Sequence, residues 1–265
     1  MRITVENEGI VISEVVSGNE HACLVFDRLY QEGDEIIIDF GCEGHFVIEL
    51  DPVLGRSLIY TKGDLFRFPI PFGAKRDCYN ELAFLGRKHM IYVRKAMDFE
   101  LCYRNLALNP YDCHTSETVF PHSKANIETR GESVFASRNA FDGYLSSCGH
   151  GKWPYSSWGI NRDPDAELRL DFGRKVTIDR IIIYIRTDFP HDSWWHQVEI
   201  VFSDGCYDIS KTLELCKAEG PQEFKIEPVV TDSLTLRRLL KTTSDNSPFP
   251  ALTQLEIYGT ERQGF

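Results

Sequence analysis

The stretch HQVEIVFSDG, residues 196–205, decides the fold class. Val198, Ile200 and Phe202 fall on one face of an extended chain, with Gln197 and Glu199 on the other. A period of two is the mark of a half-buried strand, and Asp204-Gly205 behind it supplies the turn that folds a strand back on itself. The same reading extends outward. GIVISEVV (9–16), DEIIIDF (34–40), HFVIEL (45–50), RSLIYT (56–61) and HMIYVRKA (89–96) predict strands in the first part of the chain. AELRLDF (166–172), TIDRIIIYIR (177–186), QEFKIEPV (222–229), SLTLRRLL (233–240) and LTQLEIYG (252–259) predict them in the second. TIDRIIIYIR is apolar on both faces, as in a central strand covered from both sides. Helical periodicity is scarce, and only YNELAFLG (79–86) suits a short helical turn. The chain reads as all-β.

At 265 residues two domains are expected, each large enough to bury a core. Strands divided by Gly, Asp and Pro make residues 1–100 an antiparallel β-sandwich. A break follows at 97–114, where Asn109-Pro110 disfavours helix, and a polar stretch runs over 115–133. A second sandwich is expected beyond it. DEIIIDFG (34–41) and AELRLDFG (166–173) form a faint echo between the halves, each a strand ending in Asp-Phe-Gly.

The formal net charge of −11 argues against nucleic acid or anionic lipid as the main partner, because both need a Lys/Arg surface. No run of about eighteen apolar residues occurs, so no membrane span is expected. The opening MRITVENEGIVISEVV alternates like a strand and lacks the apolar stretch of a secretion signal. The eight cysteines form no Cys-x-x-Cys pair. They read as reduced thiols, several of them buried, with Cys206–Cys216 the one disulfide to consider. Together these features make the cytoplasm the expected compartment.

All four tryptophans lie between positions 153 and 195, on SCGHGKWPYSSWG (147–159) and RTDFPHDSWWHQ (186–197). A sugar presents apolar C–H faces and a hydroxyl rim, which aromatic faces and charged hydrogen-bonding groups can match. The candidate ligand residues are Arg186, Asp188, His191, Asp192, Trp194 and Trp195, joined by His150, Trp153 and Trp158. In an antiparallel pair the loop entering one strand and the loop leaving the next lie at the same end, so both segments can share a site. Trp194 and Trp195 would point to opposite faces of a strand, so both cannot serve one core.

NLALNP (105–110), NAFDG (139–143), SSWG (156–159), LRLDFG (168–173), IDRIIIYIR (178–186), FSDG (202–205) and LTQLEIYG (252–259) occur in one order. The series resembles the discoidin, or coagulation-factor type C, domain and related galactose-binding-like carbohydrate-binding modules, over residues 104–262. It is also similar to the C-terminal part of two-sandwich bacterial proteins. The resemblance implies a galactose-binding-like jelly roll that binds ligands through loops at one end without catalysis. It also implies a structural calcium ion held by Asp142 and Glu256 with backbone carbonyls. Three features depart from the family: the bracketing disulfide is absent, the segment after Gly143 is longer than usual, and the Arg-x-Asp sequence after the central strand, here Arg186-Thr187-Asp188, runs on into an unusually rich FPHDSWW.

The expected function is therefore non-catalytic binding of a carbohydrate or glycoside. One alternative is a protein-interaction or homo-oligomerisation module that uses exposed aromatics. Another is a hydrolase built from His122, His150, His191, Asp188 and Asp192, which no metal or nucleophile motif supports.

Overall fold

The structure is a computed structural model that describes residues 1–18, 20–63, 65–187, 193–242, 247 and 249–262. Eight strands open the chain: β1 (Arg2–Asn7), β2 (Ile10–Val16), β3 (His21–Asp27), β4 (Asp34–Asp39), β5 (Gly44–Glu49), β6 (Ser57–Thr61), β7 (Leu65–Pro69) and β8 (Lys88–Lys95). They form two facing antiparallel sheets, β2-β1-β4-β7 and β6-β5-β8-β3. Ile3, Ile36 and Phe66 of the first sheet share a core with Phe46, Ile59 and Ile91 of the second. Residues 79–86 make turns without the expected helical segment; a short 3-10 turn falls earlier, at Gly73–Arg76.

The chain crosses between the two sandwiches more than once. β9 (Arg104–Asn105) pairs with a strand near the end of the second sandwich, whereas β10 (Val119–Phe120) pairs with β6 of the first. Tyr111 and Val119 are buried in the first core, and the Tyr111 hydroxyl reaches the Asp51 carbonyl at 3.1 Å.

The second sandwich is built from β11 (His122–Ala125), β12 (Trp158–Gly159), β13 (Leu168–Ile185), β14 (Gln197–Ser203), β15 (Asp208–Glu214), β16 (Gln222–Leu240) and β17 (Ala251–Glu261). β13 and β16 are 18 and 19 residues long and pair antiparallel along most of their length. Residues 168–171 of β13 carry β11, whereas 176–185 carry β17, with a register shift between. The bent strands thus contribute to both layers, in the manner of a jelly roll. Gly173 makes the bend with φ of 69°, its N–H donating to Asp171 Oδ1 at 2.7 Å. A Cβ there would lie 2.3 Å from the Phe120 ring. The two strands expected at 166–172 and 177–186 are therefore one strand with a kink, and so are those at 222–229 and 233–240. Asp204 closes the expected hairpin, its Oδ1 accepting from the N–H groups of Cys206 (3.0 Å) and Tyr207 (2.9 Å).

Two clusters dock the sandwiches, the first half-buried and the second buried. Glu261 on β17 meets His45 of β5 at 3.2 Å and Arg174 at 2.6 Å, and Arg174 lies 5.0 Å from the Tyr60 ring centroid. Arg138 lies 4.4 Å from the Tyr79 ring and donates to the Pro110 carbonyl (2.6 Å) and the Asp112 carbonyl (3.0 Å). All eight cysteines are free, Cys206 and Cys216 included. Only Cys78 is fully buried and six are exposed, against the expectation of several buried thiols. Among the described residues, no helix is long and apolar enough to cross a membrane.

Candidate functional site

A pocket of about 190 Å³ opens where β13 ends and β17 begins. One wall is the end of β12: Gly159 pairs with Ala251, and Ile160, Asn161 and Arg162 continue along the rim. Opposite lies the 3-10 turn at Thr129–Gly131, where Thr129 Oγ1 accepts from the Asn161 N–H at 2.9 Å. Gly159 permits this approach, because a Cβ there would come within 2.6 Å of that oxygen. The Arg186 N–H donates to the Ala251 carbonyl at 3.0 Å, and its guanidinium Nη2 to the Phe249 carbonyl at 2.6 Å. Arg186 is only 4% exposed and forms part of the lining.

Two aromatic rings flank the opening, each with an arginine against it. Arg162 lies 4.5 Å from the Phe249 centroid and Arg130 lies 5.8 Å from that of Phe135. Arg130, Asn161 and Arg162 have φ of 54°, 50° and 66°. Asparagine tolerates this left-handed region, but for other residues with a Cβ it costs about 1–2 kcal/mol each. Arg130 is also held by Glu132 through two hydrogen bonds, at 2.7 and 2.9 Å.

The structure brings His150 and Arg186 to this pocket from the two polar segments. The tryptophans go elsewhere. Trp158 and Trp195 are 0% and 1% exposed, their rings 6.5 Å apart in the second core, and Trp158 Nε1 donates to the Ile127 carbonyl at 3.0 Å. A ring sealed in a core offers no face to a ligand, so the stacking role expected of these two is corrected. Trp194 is half-buried and packs partly against the same core. The Trp153 ring stands edge-on to Tyr144 at 5.6 Å, and the Trp153 backbone N–H donates to the Asp77 carbonyl at 2.8 Å. That contact, with Lys152–Asp77 at 3.0 Å, places Trp153 at the junction between the sandwiches. Asp188, His191 and Asp192 lie outside the described residues.

The hydrolase cluster does not assemble from its described members. His122 is buried, with Nδ1 2.7 Å from Asp112 Oδ1, while His150 is exposed at the pocket. Among the described residues no group of three His, Cys, Asp or Glu could hold a metal ion. Nor does the Asp142 environment suit calcium. Its carboxylate faces the Arg138 guanidinium at 3.9 Å and accepts from the Tyr144 N–H at 3.0 Å. Burial pushes Asp142 up to about 7, although the Arg138 charge pulls the other way. A fixed guanidinium facing the carboxylate already holds the position of positive charge that a divalent ion would take. The neighbouring Gly143 N–H is met by Gln254 Oε1 at 3.3 Å, whereas Glu256 faces Tyr258 and Tyr184.

Sequence reasoning missed Arg130, Phe135, Asn161, Arg162 and Phe249. Only Asn161 carried a local signal, through its tolerance of positive φ.

No protein-family model matches the chain, and no curated protein matches it. Among solved structures it is similar to a fucose-binding module of Streptococcus pneumoniae, SpX-3, with 16% identity over 60% of this chain and 99% of that one, at a TM-score of 0.44. It is also similar to the family 32 carbohydrate-binding module of C. perfringens NanJ in complex with galactose, with 15% identity over 51% and 91% of the two chains, at 0.41. A third is the lectin domain of lectinolysin complexed with Lewis b antigen, with 15% identity over 59% and 97%, at 0.45. These three are carbohydrate-binding modules or lectin domains.

Proposed function

We propose that this protein is a non-catalytic carbohydrate- or glycoside-binding protein whose ligand enters the pocket at the end of the second sandwich. The pocket itself carries the reading. It joins the Phe135 and Phe249 rings to a rim of hydrogen-bonding groups from His150, Asn161 and Arg162. Its volume is that of roughly six waters, a scale suited to one sugar ring. Apolar surface with a few placed polar groups is what a small-ligand site requires. The test is a thermal-shift panel of neutral and acidic monosaccharides on the full chain. A ligand at a hundred times its Kd adds about 2.7 kcal/mol to stability, which a melting curve resolves. Phe249→Ala should abolish the shift; a flat response across the panel at high millimolar sugar would end the proposal.

An assembly role is favoured by a different observation. β2 and β3 are edge strands of their two sheets, and Ile10 and Val16 on β2 are 71% and 70% exposed. Exposed apolar edges invite pairing with another chain. Sedimentation would show self-association that is lost in Val16→Lys.

A further inference from the structure

We infer that the pocket selects a sugar bearing an anionic group, a carboxylate or a sulfate, and that Arg162 meets that charge. This rests on the sugar-binding reading above. A hydroxyl both donates and accepts, so a site for a neutral sugar needs acceptors as well as donors, and carboxylates supply them best. The described residues lining this pocket include Arg130, Arg162, Arg186 and His150 but neither Asp nor Glu. Three arginines at one small pocket stand out in a chain of formal net charge −11.

The three arginines are engaged differently. Arg130 is clamped by Glu132, and Arg186 is buried with Nη2 on the Phe249 carbonyl. Arg162 is exposed, and among the described residues no carboxylate lies within ion-pair distance of it. Its contact with Phe249 restrains the guanidinium, whose N–H fork matches a carboxylate or sulfate with two parallel hydrogen bonds. Backbone preference does not explain an arginine here. With φ of 66°, Asn or Gly would sit at position 162 with less strain. Asn161, beside it on the rim, offers an amide for a neighbouring hydroxyl.

The test is calorimetric titration of the full chain with matched pairs: glucose against glucuronate, galactose against galacturonate, and galactose against galactose 6-sulfate, with inorganic sulfate alone beside them. At least one anionic member should bind about tenfold more tightly than its neutral counterpart. Arg162→Asn suits the local backbone, so it should fold and melt no lower than the parent while losing that preference. Arg162→Lys should retain part of it. Equal affinity within the pairs would overturn the inference and leave the sugar reading intact, whereas binding of no sugar at all would remove both. A preference that survives in Arg162→Asn, or inorganic sulfate binding as tightly as the sulfated sugar, would also overturn it.

Discussion

Arg138 lies 3.9 Å from Asp142, one short turn ahead of it in the chain, and both side chains are sealed where the two sandwiches meet. The guanidinium is also held by the Pro110 and Asp112 carbonyls and the Tyr79 ring. Removing one member of such a pair leaves a buried polar group without its counterpart. Arg138→Met should cost about 3 kcal/mol in urea denaturation, and adding Asp142→Leu should recover part of the loss. A double variant no more stable than Arg138→Met would show that the two side chains do not act as a pair.

Asp142 also sets a pH dependence. Burial lifts its carboxyl to about 7, so between about pH 4 and pH 7 the native protein keeps a proton that the unfolded chain has lost. Its contribution to stability is complete at the acidic end of that window, falls as pH rises, and levels off above it. Asp142→Asn should flatten this slope when denaturation midpoints are compared from pH 4.5 to 8.

Glu261 acts in the opposite sense. Burial pushes its carboxyl up, but the neighbouring His45 and Arg174 outweigh that and hold it well below the usual carboxylate range. Its stabilising contribution is present above the ordinary glutamate pKa and drains away as pH falls. Glu261→Gln should therefore cost stability at pH 7 and progressively less below about pH 4. An unchanged difference across that range would rule out this linkage.

Trp195 separates packing from recognition. Trp195→Phe leaves space in the second core and should lower stability by about 1–3 kcal/mol. Sugar affinity of the folded protein should stay the same. A variant that keeps its melting temperature and loses binding would return the tryptophans to the site.

Calcium should have no effect. With Arg138 beside Asp142, neither added calcium nor a chelator should shift the melting temperature by more than about 1 °C.

The alternation of HQVEIVF and the Asp204-Gly205 turn made β14 and its hairpin legible. β15 was hidden because its residues are mostly exposed on an edge and show no clean alternation. Asp171-Phe172-Gly173 reads as a stop, yet only tertiary context shows that β13 bends there and continues. Within the pocket, His150 and Arg186 were visible as polar residues on loops flanking strands. The tryptophans misled because an indole reports how much apolar surface must be covered, not whether core or ligand covers it. Arg162 was invisible, since its neighbour Phe249 is distant in sequence and nothing local announces a left-handed arginine.

The stitch at residues 104–120 affects how this protein can come into being. β9 belongs to the second sheet, yet Tyr111 and β10, further along the chain, belong to the first. On a ribosome the first sandwich waits for residue 120 before it is whole, while β9 stays idle until β17 is made. A scissor cut anywhere in that stretch strips a strand or a core aromatic from one partner or the other, so the halves should travel poorly as separate fragments.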